Sequence, residues 1–173
     1  MPDGVALVHC GVGKVNAALA TCEALATQRP ALVVNYGTAG AISDAARGLV
    51  EIGAVIQRDM LAVPLAPRGV TPFEPAATEL VNGRAGLRCA SGDSFVTAAD
   101  PWLAAQRVDL VDMELYAIAR ACARAAVAWR AFKFLTDTAG ASAADDWQAR
   151  VGDGEDLFMQ RLAALRAAAD AAH

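Results

Sequence analysis

The chain has 173 residues, 55% of them hydrophobic, with 15 Lys plus Arg against 19 Asp plus Glu and a net charge of -4. That length fits a single domain over residues 1–173 with a sizeable core and excludes general disorder, while an acidic balance with scattered arginines argues against a nucleic-acid partner. No uncharged apolar run approaches the ~18 residues of a membrane span, and Asp3 stands where a signal peptide would carry basic residues, so a cytoplasmic protein with no membrane partner is expected.

Val5 to Cys10 is a short apolar run ending at Gly11-Val12-Gly13, and from Lys14 a helical pattern carries Val15, Ala18, Leu19, Cys22 and Leu25 to about Gln28. The spacing predicts a strand, a glycine turn and a helix with that stripe toward the core. Gly-x-Gly-Lys lacks the spacing and the Ser or Thr of a P-loop, which favours turn geometry over phosphate binding. His9 has no second histidine nearby and reads as a core or strand-end residue; no metal site is expected. Ala31 to Tyr36 is an unbroken apolar run of the kind found in a sheet covered on both faces. It feeds Gly37-Thr38-Ala39-Gly40, which is either an ordinary strand-to-loop turn or a place where backbone approaches a ligand closely.

Leu49 to Met60 alternates as a strand. The prolines at 64, 67, 72 and 75 then impose a long loop, the kind that lines a site or an interface. Gly86 to Ala90 is a short strand running into Ser91-Gly92-Asp93-Ser94-Phe95-Val96, and Asp100-Pro101 reads as a helix start. Val111 to Tyr116 is an extended segment with a buried acidic residue that turns into a helix over about 114–126. Glu114 is expected in its first turn, where the unpaired N–H groups favour an ionised carboxylate. Ala128 to Leu135 is a last strand ending at Thr136-Asp137, and a helical tail from about Asp153 presents Phe158, Leu162 and Leu165 on one face. Cys10, Cys22, Cys89 and Cys122 lie singly in apolar segments and read as small core residues of a reducing compartment.

Alternating strand and helix signals predict a three-layer α/β/α fold with a mostly parallel or mixed central sheet. Thr38, Ser94, Glu114 and Asp137 all fall at strand ends, so a site assembled from separate strands is expected.

Taken in order, Gly11-Val12-Gly13-Lys14-Val15-Asn16, Asn35-Tyr36-Gly37-Thr38-Ala39-Gly40, Ser91-Gly92-Asp93-Ser94-Phe95, Val111-Asp112-Met113-Glu114 and Thr136-Asp137 resemble the purine nucleoside phosphorylase and nucleosidase superfamily. The likeness is strongest to the 5'-methylthioadenosine/S-adenosylhomocysteine nucleosidases and covers roughly residues 5 to 150. It implies a nucleoside phosphorylase-like fold without the family's usual N-terminal strand. The implied activity is hydrolysis of a purine nucleoside without a cofactor, in a homodimer whose only other partner is the small-molecule nucleoside. By resemblance, Asp137 is the general acid to purine N7, and Met113 and Glu114 hold the ribose. Phe95 stacks on the base while the Val96 backbone pairs with its edge; Thr38, Ala39 and Gly40 line the site, and Lys133 stands where relatives carry an arginine. The family's water-activating glutamate has no counterpart, since only Met1 to Gly4 precede the first motif. Asn35 occupies the place of a phosphate-clamping arginine, which favours water over phosphate as nucleophile. A phosphorylase and a catalytically weak nucleoside-binding relative are the alternatives.

Overall fold

The computed structural model describes residues 4–43, 46–74, 77–138 and 154–171, without the side chains of residues 137, 138 and 170. The elements run α1 (Lys14–Gln28), β1 (Leu32–Ala41), β2 (Leu49–Gln57), β3 (Glu79–Val81), β4 (Leu87–Ser91), α2 (Pro101–Ala105), β5 (Leu110–Asp112), α3 (Leu115–Ala125), β6 (Ala128–Thr138) and α4 (Glu155–Asp170).

The strands form one mixed sheet in the order β3-β2-β4-β5-β1-β6, and a further pairing of β2 with β6 closes five of them into a ring. β1 runs parallel to β6 and antiparallel to β5, whereas β4 is parallel to both β2 and β5. The expected α/β architecture with a mixed sheet is therefore present, and its closure explains why β1 and the inner strands read as near-continuous apolar runs. Ile52, Val55, Cys89, Leu110, Leu115, Ile118, Cys122 and Ala131 form its main core. Complete burial of Leu115 and near-complete burial of Ile118 stabilise the α3 packing by about 1.5–3 kcal/mol each.

Three expectations need correction. Val5–Cys10 forms no strand among the described residues: β5 pairs with β1 only at Gly40 and Ala41, and Val5–Cys10 does not add to the Leu32–Ala39 edge that β5 does not reach, so Leu7 and Val8 stay exposed. α1 has the expected extent but buries another face: Ala17 and Thr21 are covered, while Val15 is 69% and Leu19 66% exposed and Cys22 is also exposed. Small residues let α1 approach α3 closely, and this close approach turns the larger apolar stripe outward. His9 is exposed instead of packed. α4 behaves as its pattern requires, burying Leu162 and stacking Phe158 on Tyr36 at 4.3 Å, which docks the helix against β1.

Candidate active site

The site is organised by a buried ion pair beneath Glu114. Asp112 ends β5, and its carboxylate accepts from Lys133 Nζ at 2.7 Å, from Ser91 Oγ at 2.5 Å and from the Leu115 N–H at 2.9 Å. Ser91 Oγ in turn accepts from the Tyr116 N–H at 2.8 Å. Asp112 and Ser91 thus satisfy the first free N–H groups of α3 and join the ends of β4 and β5 to the middle of β6 in one network. The Lys133 side chain reaches Asp112 by crossing β1 at Gly37, its partner in register, where a Cβ would stand 3.2 Å from Nζ. The glycine gives passage to the lysine.

Glu114 sits at the N-cap of α3, not in its first turn, and makes no capping bond to the helix. Its Oε1 accepts from the Gly13 N–H at 2.9 Å. Burial pushes the Glu114 carboxyl up from its ordinary value and neighbouring Asp112 adds to this, against the pull of Lys133 and the Gly13 and Met113 N–H groups. Burial is the largest influence and opposes charge on Asp112 and on Lys133, but their partners together outweigh it: Lys133, Ser91 and the Leu115 N–H hold Asp112 below the usual carboxylate range, and Asp112 with Glu114 and Cys89 holds Lys133 above the usual ammonium range. Cys89 and half-buried Cys10 face the same carboxylates, and both thiols are pushed up, chiefly by burial.

The glycine turn before α1 is turn geometry, with Gly11 at φ 69° and Gly13 at φ 91°. Two of the N–H groups at the head of α1 are taken by carboxylates, Gly13 by Glu114 and Lys14 by Asp93 Oδ1 at 2.7 Å. Lys14 Nζ also pairs with Asp59, which accepts from the Asp93 N–H at 2.8 Å. This clasp ties α1 to the loops after β2 and β4.

Among the sequence-predicted residues, Gly40 faces Val111 on β5 across one edge of β1 and Asp137 on β6 across the other. At the usual strand spacing that puts the backbones of Val111 and Asp137 about 10 Å apart. The Asp137 side chain lies outside the described part of the structure. Ala39 and Gly40 are buried, Thr38 and Met113 half-buried, Phe95 is 46% exposed, and Val96 packs against Ile56, Leu103 and their neighbours. Lys133 is 1% exposed, with its ammonium committed to Asp112. Asp112, Ser91, Asp59 and Asp93 were not singled out from sequence, although Asp112, three residues before Leu115, carries the spacing of a capping aspartate. A hollow of about 590 Å³ is lined by the proline-rich loop at residues 65–67 and 70–74. That loop is tied to α3 by Glu74 and Arg120 at 2.7 Å. No cluster of three or more metal-binding side chains occurs among the described residues, and no described helix is long and apolar enough to cross a membrane.

The family model of the phosphorylase superfamily matches residues 3–170. The chain belongs to that superfamily. Its curated relatives include the 5'-methylthioadenosine/S-adenosylhomocysteine nucleosidase of Lysinibacillus sphaericus, 29% identical over 164 residues covering 79% of this chain and 69% of that protein. The enzyme of the same name from Haemophilus ducreyi is 32% identical over 141 residues, covering 68% and 60%. Superfamily members of known structure share the fold. S-adenosylhomocysteine nucleosidase from Streptococcus pyogenes, in complex with 5-methylthiotubericidin, gives a TM-score of 0.75 at 23% identity, covering 88% of this chain and 74% of that one. Futalosine hydrolase of Helicobacter pylori gives 0.77 at 20% identity, covering 84% and 71%. The superfamily chain thus spans 60% to 69% of the length of these curated relatives.

Proposed function

We propose that this chain binds a purine nucleoside and hydrolyses its N-glycosidic bond, with 5'-methylthioadenosine and S-adenosylhomocysteine as the candidate substrates. The observation that carries the reading is Glu114: a part-buried carboxylate, one oxygen fixed by the Gly13 N–H, raised on a buried Asp112–Lys133 pair where strand ends meet. Its other oxygen accepts the ribose hydroxyls, and Met113 packs under the sugar. Asp137, across β1, protonates N7 so that the base leaves neutral. Cleavage passes through an oxocarbenium-like sugar, so a carboxylate beside the ribose stabilises the developing positive charge and an acid beside the base neutralises the leaving group. Phe95 stacks on the purine, the Val96 backbone pairs with its edge, and Thr38, Ala39 and Gly40 bring backbone close to the sugar. Lys133 acts from beneath, holding Asp112 and supporting the charge of Glu114.

Water is the nucleophile in this reading. Carboxylates occupy the head of α1, where an anion would otherwise be attracted, and position 35 holds a neutral asparagine. The exposed apolar stripe of Val12, Val15 and Leu19 on and beside α1, with Leu61, Val63 and Leu65 in the proline-rich loop, supports a homodimer. Four free thiols fit a reducing, cytoplasmic location. The test is chromatographic: free base should appear from 5'-methylthioadenosine or adenosylhomocysteine equally with and without phosphate. Release that depends on phosphate would make it a phosphorylase, and nucleoside binding without release a catalytically weak relative.

A further inference from the structure

The segment that carries Phe95 and Val96 is fastened at both ends by arginines. Arg58, just past β2 and 5% exposed, donates through Nη2 to Gly92 O at 2.9 Å and to Ser94 O, and through Nη1 to Ser94 Oγ at 3.2 Å. Its guanidinium lies flat against the turn because residue 92 is glycine; a Cβ there would stand 2.8 Å from Arg58 Cγ and 2.9 Å from Cζ. Burying a guanidinium is costly unless acceptors take its N–H groups, and here every acceptor found for Nη1 and Nη2 lies in one turn, while Nε is buried without a partner among the described residues. Arg68, in the proline-rich loop, grips the far end: Nη1 and Nη2 bond Asp100 Oδ1 and Oδ2 at 3.1 and 2.6 Å, and the guanidinium lies 4.5 Å from the Trp102 ring centre. Arg68 Nε also donates to the Arg58 carbonyl at 2.7 Å, so the two anchors are joined. Between them Phe95, Thr97, Ala98 and Ala99 are exposed.

We propose that Arg58 and Arg68 are positioning residues that stretch the Gly92–Asp100 segment between two fixed points and so present Phe95 and the Val96 backbone to a purine base as a pre-set surface. This deepens the nucleoside-binding reading and rests on it. Neither arginine touches the ligand; each removes freedom that the segment would otherwise lose on binding. The proline-rich loop thereby sets base affinity through Arg68.

The experiment measures adenine binding by calorimetry for wild type, Arg68→Met, Phe95→Ala and the double variant, with amide hydrogen exchange on the same proteins. Arg68→Met should weaken adenine about tenfold, the cost of ordering one or two side chains on binding. Exchange should rise in peptides covering residues 92–104, including the Trp102 amide capped by Asp100, and stay unchanged elsewhere. Because Arg68 acts through Phe95, the double variant should bind within about twofold of Phe95→Ala alone. Arg68→Lys, which keeps charge but loses the fork, should fall between wild type and Arg68→Met. If Arg68→Met does not fold, Asp100→Asn serves instead, since it keeps the cap on Trp102 and removes the ion pair. Unaltered adenine affinity in Arg68→Met, or losses that add with Phe95→Ala, would overturn the inference alone. Wild-type protein that binds no adenine would refute the nucleoside reading and this inference with it.

Discussion

Replacing Lys133 by Met strands a carboxylate in the core. The Asp112 side chain is 0% exposed and that of Lys133 1%, so the variant leaves a buried charge whose remaining donors are Ser91 Oγ, the Leu115 N–H and the weak thiol of Cys89. Breaking a buried pair from one side costs about 3–5 kcal/mol, and for a chain of this size that lowers the melting temperature by about 6–20 °C. Asp112→Asn should cost a comparable amount, since it removes the carboxylate bonded to a buried ammonium. The double variant is the decisive member. With both charges gone, the amide oxygen that Asp112→Asn leaves in place can still accept from the Leu115 N–H and cap α3, so the double should be more stable than the sum of the single losses by about 1.5 kcal/mol or more. Urea denaturation of all four proteins at pH 7 reads this directly. Single losses below about 1 kcal/mol, or losses that add within about 0.5 kcal/mol, would refute the pair as the organising element. The pair's contribution has a defined pH window. The depressed Asp112 stabilises above the unfolded carboxyl value of about 3.9 and loses this as pH falls through its lower folded value. The raised Lys133 stabilises below about 10.4 and loses this as pH climbs through its higher folded value.

Asp137→Asn should cut nucleoside turnover by about 10²–10⁴-fold, the usual contribution of general acid catalysis; near-full activity in steady-state assays would remove the residue from that role. Glu114→Gln should lose turnover yet melt at a higher temperature at pH 7. Because the folded carboxyl is raised, the wild type loses stability as pH rises from the unfolded carboxyl value through the folded one, and the amide has no such loss. Scanning calorimetry that finds the variant less stable would contradict this. In native protein, thiol titration should label exposed Cys22 quickly and leave Cys89 and Cys122 unreacted until unfolding; Cys89 is fully covered and burial pushes Cys122 up to about 11. Leu19→Asp should convert a dimer to monomer in light scattering without changing the monomer fold, and a wild type already monomeric at high concentration would end the dimer reading.

What the sequence disclosed follows from how local each signal is. Helix extents and the strand positions of β1, β2, β4 and β6 came from periodicity and turn residues within a few positions. The buried face of α1 did not, because Ala17 and Thr21 pack better than Val15 and Leu19 only once α3 stands opposite. The Val5–Cys10 run is apolar enough for a strand, but whether it meets a pairing edge is a matter of tertiary placement that the run itself does not carry. The acidic residue at 114 was legible as chemistry and Lys133 by resemblance, whereas the network that joins Lys133 to the supports Asp112 and Ser91 was not. Lys133, Asp112 and Ser91 come from three strands, and nothing in a linear spacing announces that Gly37 lets one reach another. The clasp of Lys14, Asp59 and Asp93 is hidden for the same reason, since its members are separated by tens of residues and meet only through the sheet.

In the proposed reaction, water attacks the sugar of a purine nucleoside whose base departs by acid catalysis. Incubating the protein with 5'-methylthioadenosine in phosphate-free H₂¹⁸O and weighing the sugar product by mass spectrometry tests it most directly. Free adenine and a methylthioribose carrying one ¹⁸O should form, in amounts that fall together in Glu114→Gln and Asp137→Asn. Unlabelled sugar, a sugar phosphate formed only on adding phosphate, or no release of base at all would contradict it.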